Sequence, residues 1–400
     1  MRRMQVGFLL IVILFVLLAC DSDTEERITS MKDLKVKEMF GFHTVKPVAL
    51  NLSSIDEDGE AMAGATFTIM RSGSRKVLSA ITDDSGKFEY SITVPSYENV
   101  ITLISGEHSS QIPIPSNGEV EYSFMGSSSK VRSFSYFTPA ENAFASLCFE
   151  DLWPSNGDYD VNDLVLDLNV EQVYNSATWE LTNIIFKYKV RAIGARKTIG
   201  FAITLPEYIV ADGLPSSSNA EASWDATNNT IVFFNNARNI VSDDPQQFFN
   251  ADHSIPHNYD SDLIHEINLP VYEDWWKSSK MVWIPWYDAP FNPFIFVDNN
   301  PGHQIHLKHY PVIPGFMDMG LFNQEDDNSE VSYPDYPQSF QNFNFQPWAF
   351  YIAESISYPQ ENRSIIKAFP DFAAWALSEG WDHADWYLNP DAAFIYDPNH

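Results

Sequence analysis

The residues best suited to chemistry in this sequence lie in one short acidic loop. Four oxygen-bearing side chains fall within six residues, directly after Gly157: Asp158, Asp160, Asn162 and Asp163. Side-chain oxygens at alternate positions of a tight loop can converge on one point. Ca²⁺ requires such an arrangement, because it takes six to eight oxygen ligands at about 2.3–2.6 Å. The spacing therefore predicts a calcium site.

Three more carboxylates are candidates to complete this site. Asp167 falls on the same face of the following strand as Asp163, and Glu150 and Asp151 precede the loop. The loop is only half an EF-hand, since Asp163 stands where that motif has Gly and Asn169 stands where it has a bidentate Glu. The alternative is a network of turns in which the same side chains bond to the backbone.

Strands must position this loop, and the sequence predicts strands through most of the chain. Alternating apolar residues predict one strand from Leu164 to Val170, immediately after the loop. Short alternating segments between Gly and Asp turns predict a small antiparallel β-sandwich over 45–125 and a larger, β-rich, sandwich-like domain over 136–400. A short C-terminal helix is predicted by apolar residues at helical spacing, namely Ile365, Phe369, Phe372, Ala373, Ala376 and Leu377. The predicted fold class is mostly β.

The first twenty residues have the pattern of an export signal. Arg2 and Arg3 precede an apolar run that ends at Ala19, and this run is too short for a membrane span of about 20 residues. With Cys20 directly after the small residue, residues 1–20 resemble a bacterial lipoprotein signal peptide. That resemblance implies that Cys20 is lipidated and anchors the protein to a membrane.

Two polar stretches are predicted to connect the folded parts. Residues 21–44 are predicted to form an acidic tether, and the Ser-rich residues 126–135 a linker. The acidic run over 21–26 resembles the export tags of Bacteroidetes surface lipoproteins. That resemblance implies display on the outer membrane, facing the cell exterior, with the periplasmic face as the alternative.

The overall charge excludes one class of partner. The chain has 24 Lys and Arg residues against 54 Asp and Glu residues, for a formal net charge of −30. A field of this sign repels phosphate backbones, and no basic stripe with interleaved aromatic residues is present, so we expect no nucleic-acid binding. The second cysteine, Cys148, lies in an apolar segment and is predicted to be a buried thiol.

The acidic loop also carries a family resemblance. Residues 149–154 (Phe-Glu-Asp-Leu-Trp-Pro) and 157–165 (Gly-Asp-Tyr-Asp-Val-Asn-Asp-Leu-Val) resemble the signature of LruC-domain bacterial surface lipoproteins, which usually has Phe in place of Val161. The resemblance continues through segments such as 358–361 and covers roughly 140–396. It implies a surface or outer-membrane lipoprotein, and it carries over no catalytic residues.

The N-terminal sandwich has a resemblance of its own. Residues 64–67 and 82–88 are similar to carboxypeptidase-regulatory-like and prealbumin-type domains. Such a module implies a spacer between the anchor and the larger domain.

These features favour a binding protein over an enzyme. No nucleophile elbow, phosphate-binding loop or dinucleotide glycine motif is present, and 54 acidic residues single out no acid pair. Tryptophans around 275–286 are predicted to be core, with a sugar-stacking platform as the alternative. We expect a glycan, matrix or protein ligand, whose contact residues the sequence leaves unknown. The alternatives are an extracellular polysaccharide hydrolase and a structural envelope lipoprotein.

Overall fold

Alternating apolar segments form strands along most of the chain. The computed structural model describes residues 28–241, 248–256, 259–273, 289–313, 320–330 and 339–397. The strands of the N-terminal part are β1 (Val45–Ile55), β2 (Thr66–Arg71), β3 (Arg75–Ile81), β4 (Lys87–Pro95), β5 (Val100–Ser105), β6 (His108–Pro113), β7 (Glu119–Met125) and β8 (Ser133–Thr138). The remaining strands are β9 (Ala145–Phe149), β10 (Leu164–Asn175), β11 (Leu181–Ala192), β12 (Ile199–Thr204), β13 (Ile209–Ala211), β14 (Ser216–Ser217), β15 (Ser223–Asp225), β16 (Thr230–Phe234), β17 (His265–Glu273), β18 (Asn292–Val297), β19 (Asn300–His306) and β20 (Ala349–Ile352).

Helices are few and short. They are α1 (Arg238–Val241), α2 (Ile365–Ala368) and α3 (Phe372–Leu377), with 3₁₀ turns at Ser72–Ser74, Tyr259–Asp262 and Trp386–Leu388. Among the described helices, none combines the length and the apolar character needed to cross a membrane. The predicted fold class, mostly β and sandwich-like with a short C-terminal helix, is confirmed.

The strands form three sheets in the described part of the chain. The smallest has the order β4-β1-β7, and a five-stranded sheet has the order β15-β16-β12-β18-β19. The largest runs β13-β17-β11-β10-β8-β3-β2-β5-β6, with β14, β9 and β20 paired beside this path. Neighbouring strands are antiparallel except β1 and β7. One apolar cluster, whose members run from Val48 to Tyr351 in the sequence, includes residues of all three sheets.

The largest sheet crosses the predicted linker. β3 pairs with β8 through Leu78 and Tyr136, and β8 pairs in turn with β10. The last residues of the predicted linker, 126–135, therefore belong to a strand and do not form a free connection. The predicted spacer and the predicted larger domain share one sheet and one apolar cluster.

The predicted tether is wrong for residues 31–44. Met31, Leu34, Phe40 and Phe42 are buried, and the Phe40 ring lies 5.2 Å from the ring of Trp375 in α3. These apolar side chains were separated by enough polar residues to suggest a solvated segment. These side chains are buried against an apolar surface that α2 and α3 form, and this surface exists only in the folded chain.

The predicted C-terminal helix forms as two pieces. α2 ends at Ala368 and α3 begins at Phe372, with three residues between them, because Pro370 has no N–H to donate and disfavours helical backbone at the residue before it. Gly380 adopts φ +88°, and its N–H donates to the Trp375 carbonyl at 2.9 Å. Trp375 is fully buried, whereas Trp381, which follows the cap, is 87% exposed.

Candidate metal site

The acidic loop closes a pair of antiparallel strands. Phe149 at the end of β9 pairs with Leu164 at the start of β10, so residues 150–163 form the connection. Tyr159 and Val161 adopt positive φ values of 62° and 51°, which non-glycine residues rarely do. The predicted strand after the loop is confirmed as the first half of β10.

Three carboxylates of this connection converge. Glu150, Asp158 and Asp160 each offer an oxygen, and the three oxygens lie within 4.8 Å of one another. Glu150 and Asp160 are buried, whereas Asp158 is exposed, so the cluster has one side toward solvent. Within the described residues, none of the three forms an ion pair with a lysine or arginine. We call Glu150, Asp158 and Asp160 the carboxylate cluster.

The charge of this cluster is poorly compensated. Burial raises the pKa of Glu150 well above its ordinary value, and the negative charges of Asp163 and Asp160 raise it further. Burial and neighbouring carboxylates likewise raise the pKa of Asp160. A bound cation would reverse these shifts, because it favours the charged form of each carboxylate.

One oxygen of the cluster has no hydrogen-bond partner. Glu150 Oε1 accepts from the Val161 N–H at 2.8 Å. Glu150 Oε2 accepts no hydrogen bond from the described residues. Water does not reach it freely either, because the whole residue is only 1% exposed. A buried acceptor without a partner is costly, so this atom is a natural ligand position for a cation.

Asn162 and Glu361 extend the candidate site. Asn162 is fully buried; its Nδ2 donates to the Pro359 carbonyl at 3.1 Å, while its Oδ1 has no partner among the described residues. A methyl group added at Gly194 would overlap Asn162 Oδ1 and would lie 3.0 Å from Glu361 Oε2. Glycine at 194 thus avoids an overlap with Asn162 Oδ1 and a tight contact with Glu361 Oε2.

Sequence reasoning missed Glu361. Glu361 lines the same cleft as Asp158, and burial and the charge of Asp158 raise its pKa to about 7. It lies far along the chain from the loop, so no local spacing could reveal it. The one signal was its position in the 358–361 segment that shares the family resemblance.

Two of the predicted ligands have other partners. Asp167 accepts from Arg191 Nη1 at 2.8 Å and from Ser355 Oγ at 2.7 Å, and the structure does not bring it to the carboxylate cluster. Asp167 lies on β10, which pairs with β11, and β11 carries Arg191. The spacing of acidic residues along the sequence could not indicate this partner. Asp151 lies 3.8 Å from Lys197 Nζ.

Asp163 stays next to the cluster. Its Oδ2 accepts the Asp151 N–H at 2.7 Å, and its charge contributes to the raised pKa of Glu150. One of its oxygens therefore holds the start of the loop, and the residue remains a candidate ligand.

A cleft of about 970 Å³ lies beside the loop. Its walls include Asp158, Asp163 and Glu361, and they also include Lys32, Arg196 and Lys197. The cleft therefore combines the solvent side of the cluster with three basic side chains.

The structure describes one of the two cysteines, Cys148. Cys148 is fully buried, which confirms the predicted buried thiol, and burial raises the pKa of this thiol. Cys20 and the predicted signal peptide lie outside the described residues, as do Trp275, Trp276 and Trp283.

Comparisons with known proteins give a family and a fold. A family model described as "Domain of unknown function (DUF4842)" matches residues 180–387, just over half of the chain. No curated protein matches the chain. A crystal structure described as a "Putative lipoprotein from Bacteroides ovatus" is similar at 14% identity with a TM-score of 0.50, covering 89% of this chain and 99% of that one. At this identity the likeness shows a shared fold alone.

Two pilin subunits match more weakly. BcpA, the major pilin subunit of Bacillus cereus, has a TM-score of 0.17 and 12% identity over 64% of this chain and 65% of its own. The major pilin SpaD of Corynebacterium diphtheriae has a TM-score of 0.16 and 8% identity over 64% of this chain and 61% of its own. These scores are too low to indicate a shared fold. The reported matches do not confirm the LruC name, and that resemblance stays a prediction.

Proposed function

Because the chain belongs to the DUF4842 family, whose description assigns no activity, we propose its function from the candidate site. The protein is a lipid-anchored surface protein that binds an extracellular ligand next to a calcium ion held by the acidic loop. One observation carries this proposal: a buried, unpartnered carboxylate oxygen of Glu150 lies in a carboxylate cluster that borders a cleft.

The donor set favours calcium over other common metals. The candidate ligands are carboxylate and amide oxygens, which suit hard cations, and no thiolate or imidazole belongs to the cluster. Mg²⁺ demands octahedral geometry at about 2.0–2.1 Å and retains several waters, whereas Ca²⁺ accepts many oxygens in irregular arrangements. A cluster of three carboxylates with Asn162 and Glu361 nearby fits the second preference.

Surface anchoring rests on the N-terminal sequence. Cys20 follows an apolar run with the pattern of a lipoprotein signal, and an acidic run comes next. The description of the similar Bacteroides ovatus structure as a lipoprotein agrees with this anchor. We propose that the protein is held on the outer membrane and faces the exterior. Protease treatment of intact cells tests this, since a periplasmic chain is cut only after lysis.

Hydrolysis of an extracellular polysaccharide is a second candidate function. Asp158 and Glu361 line the same cleft, and the raised pKa of Glu361, about 7, suits a general acid. Glu361→Gln separates the two functions. As a hydrolase, this variant would bind polysaccharide without cutting it, and the wild type would release new reducing ends. As a calcium-dependent binding protein, the wild type releases none.

Calorimetric titration of the mature chain with calcium tests the proposed site. We expect binding heat from one site in the wild type, and no such heat in Glu150→Gln. Asp167→Asn is the matched control, because Asp167 is also a buried carboxylate near the loop but pairs with Arg191. It should bind calcium like the wild type. Absence of binding heat in the wild type, together with an unchanged melting temperature, would remove the proposal.

A further inference from the structure

The residues that line the cleft beside the acidic loop indicate which class of ligand the site binds. We propose that the calcium ion keeps coordination positions open toward this cleft and that these positions, together with Arg196, bind a carboxylated polysaccharide of the uronate type. This inference rests on the proposed calcium site and adds the chemistry of what the site recognises.

The different exposure of the three carboxylates indicates where the open coordination positions of the ion lie. Glu150 and Asp160 are 1% and 2% exposed, so they approach an ion from the protein interior. Asp158 is exposed and belongs to the wall of the cleft. An ion shared by all three therefore borders the cleft. Because Ca²⁺ takes six to eight oxygens, three carboxylates and a neighbouring amide leave positions for solvent or ligand oxygens.

The cleft suits a hydroxyl-rich ligand. Its volume, about 970 Å³, lies at the upper end of the range of about 300–1,000 Å³ typical of small-molecule sites. Ser155, Asn156 and Asn344 contribute polar groups to its walls. Sugar hydroxyls can coordinate a hard cation and can also hydrogen-bond to such side chains.

The basic side chains indicate that the ligand is acidic. Lys32, Arg196 and Lys197 line the cleft of a protein whose net charge is −30. Lys197 Nζ already donates to the Asp151 carbonyl at 2.9 Å. The guanidinium of Arg196, an exposed residue, lies 5.9 Å from the centre of the Phe248 ring. A guanidinium positioned in this way can form a paired hydrogen bond with a carboxylate.

A uronate polymer matches both parts of the cleft. One sugar can supply hydroxyl or carboxylate oxygens to the ion, and the carboxylate of a neighbouring sugar can pair with Arg196. A neutral glycan would satisfy the ion but would bring no carboxylate to Arg196, whose charge within the cleft acts only on protein groups such as Glu361. The binding is reversible and forms no covalent bond.

Binding of immobilised polygalacturonate oligomers by the full mature chain, measured by biolayer interferometry in calcium and in EDTA, tests the inference. We expect binding in calcium and none in EDTA. Arg196→Ala should weaken binding by about 10–100-fold, the usual contribution of a charge-assisted hydrogen bond, while its calcium titration stays unchanged. Arg132→Ala is the matched control, because Arg132 is exposed and lies outside the cleft.

The outcomes separate this inference from the proposed calcium site. Normal calcium binding without uronate binding, or an unchanged affinity in Arg196→Ala, would overturn the inference and leave the calcium site intact. Absence of calcium binding would overturn both. Equal binding of dextran or of polyglutamate would overturn the assignment to acidic glycans.

Discussion

Replacing Glu150 with Gln should make the calcium-free protein more stable and abolish its response to calcium. The substitution keeps the shape of the side chain and the acceptor for the Val161 N–H. It replaces a carboxyl group whose charged form is disfavoured by burial and by the charges of Asp163 and Asp160. The new amide group is neutral and can donate to the neighbouring carboxylates, so the calcium-free cluster gains a hydrogen bond without having to take up a proton.

The size of each effect follows from the structure. A buried acceptor without a partner costs about 1–3 kcal/mol, and the variant recovers this amount when calcium is absent. Calcium at a hundredfold excess over Kd stabilises the wild type by about 2.7 kcal/mol. Unfolding of about 380 residues has an entropy near 0.8 kcal/mol per degree. The calcium-free variant should therefore melt about 1–4 °C higher than the wild type, and calcium should raise the wild-type Tm by about 3 °C.

Differential scanning calorimetry in EDTA and in calcium measures both effects. Asp167→Asn is the control: loss of the charge paired with Arg191 should lower its Tm, while the rise with calcium stays at the wild-type value. The reasoning would be refuted by a Glu150→Gln variant that melts below the calcium-free wild type. It would also be refuted if calcium raised the Tm of the variant as much as that of the wild type.

Three further variants test other parts of the structure. Gly194→Ala should abolish calcium binding in calorimetry, because the added methyl group overlaps Asn162 Oδ1. Gln346→Ala should lower the free energy of unfolding in urea by about 1–3 kcal/mol, because the Leu34 carbonyl loses the Gln346 donor and the Met31 carbonyl keeps only the Leu34 N–H. Glu354→Gln should cost about 3–5 kcal/mol at pH 7, because the buried Arg71 loses its charged partner. Burial alone would raise the pKa of Glu354, but the hydrogen bond and charge of Arg71 lower it overall. The pair therefore stabilises the protein above the unfolded pKa of about 4.3 and is lost as pH falls through the lower folded pKa. The gap between wild type and Glu354→Gln in urea should accordingly narrow below about pH 4.

Local patterns in the sequence predicted the parts of the site that are close in the chain. Alternation after Leu164 predicted β10, and the spacing of Asp158 and Asp160 predicted that their oxygens converge, because both follow from a few residues of backbone. Strand pairing of β9 with β10 then brings Glu150 to the same point.

Contacts between distant segments could not be predicted in the same way. Glu361 reaches the loop only through the packing of the C-terminal region, and Asp167 is held by an arginine on the next strand. The segment around Phe40 was predicted to be solvated. Its apolar partner, α3, lies more than three hundred residues away in the sequence, so no local pattern indicates their contact. The Ser-rich composition of residues 126–135 suggested a linker. Composition carries no information about strand pairing, so it could not indicate that β8 pairs with β3.

A crystal structure of the mature chain grown in calcium tests the central claim most directly. The account predicts an anomalous calcium peak about 2.3–2.6 Å from oxygens of Glu150, Asp158 and Asp160, with Glu150 Oε2 among them. An ordered loop that holds only water at this position, in crystals saturated with calcium, would contradict it.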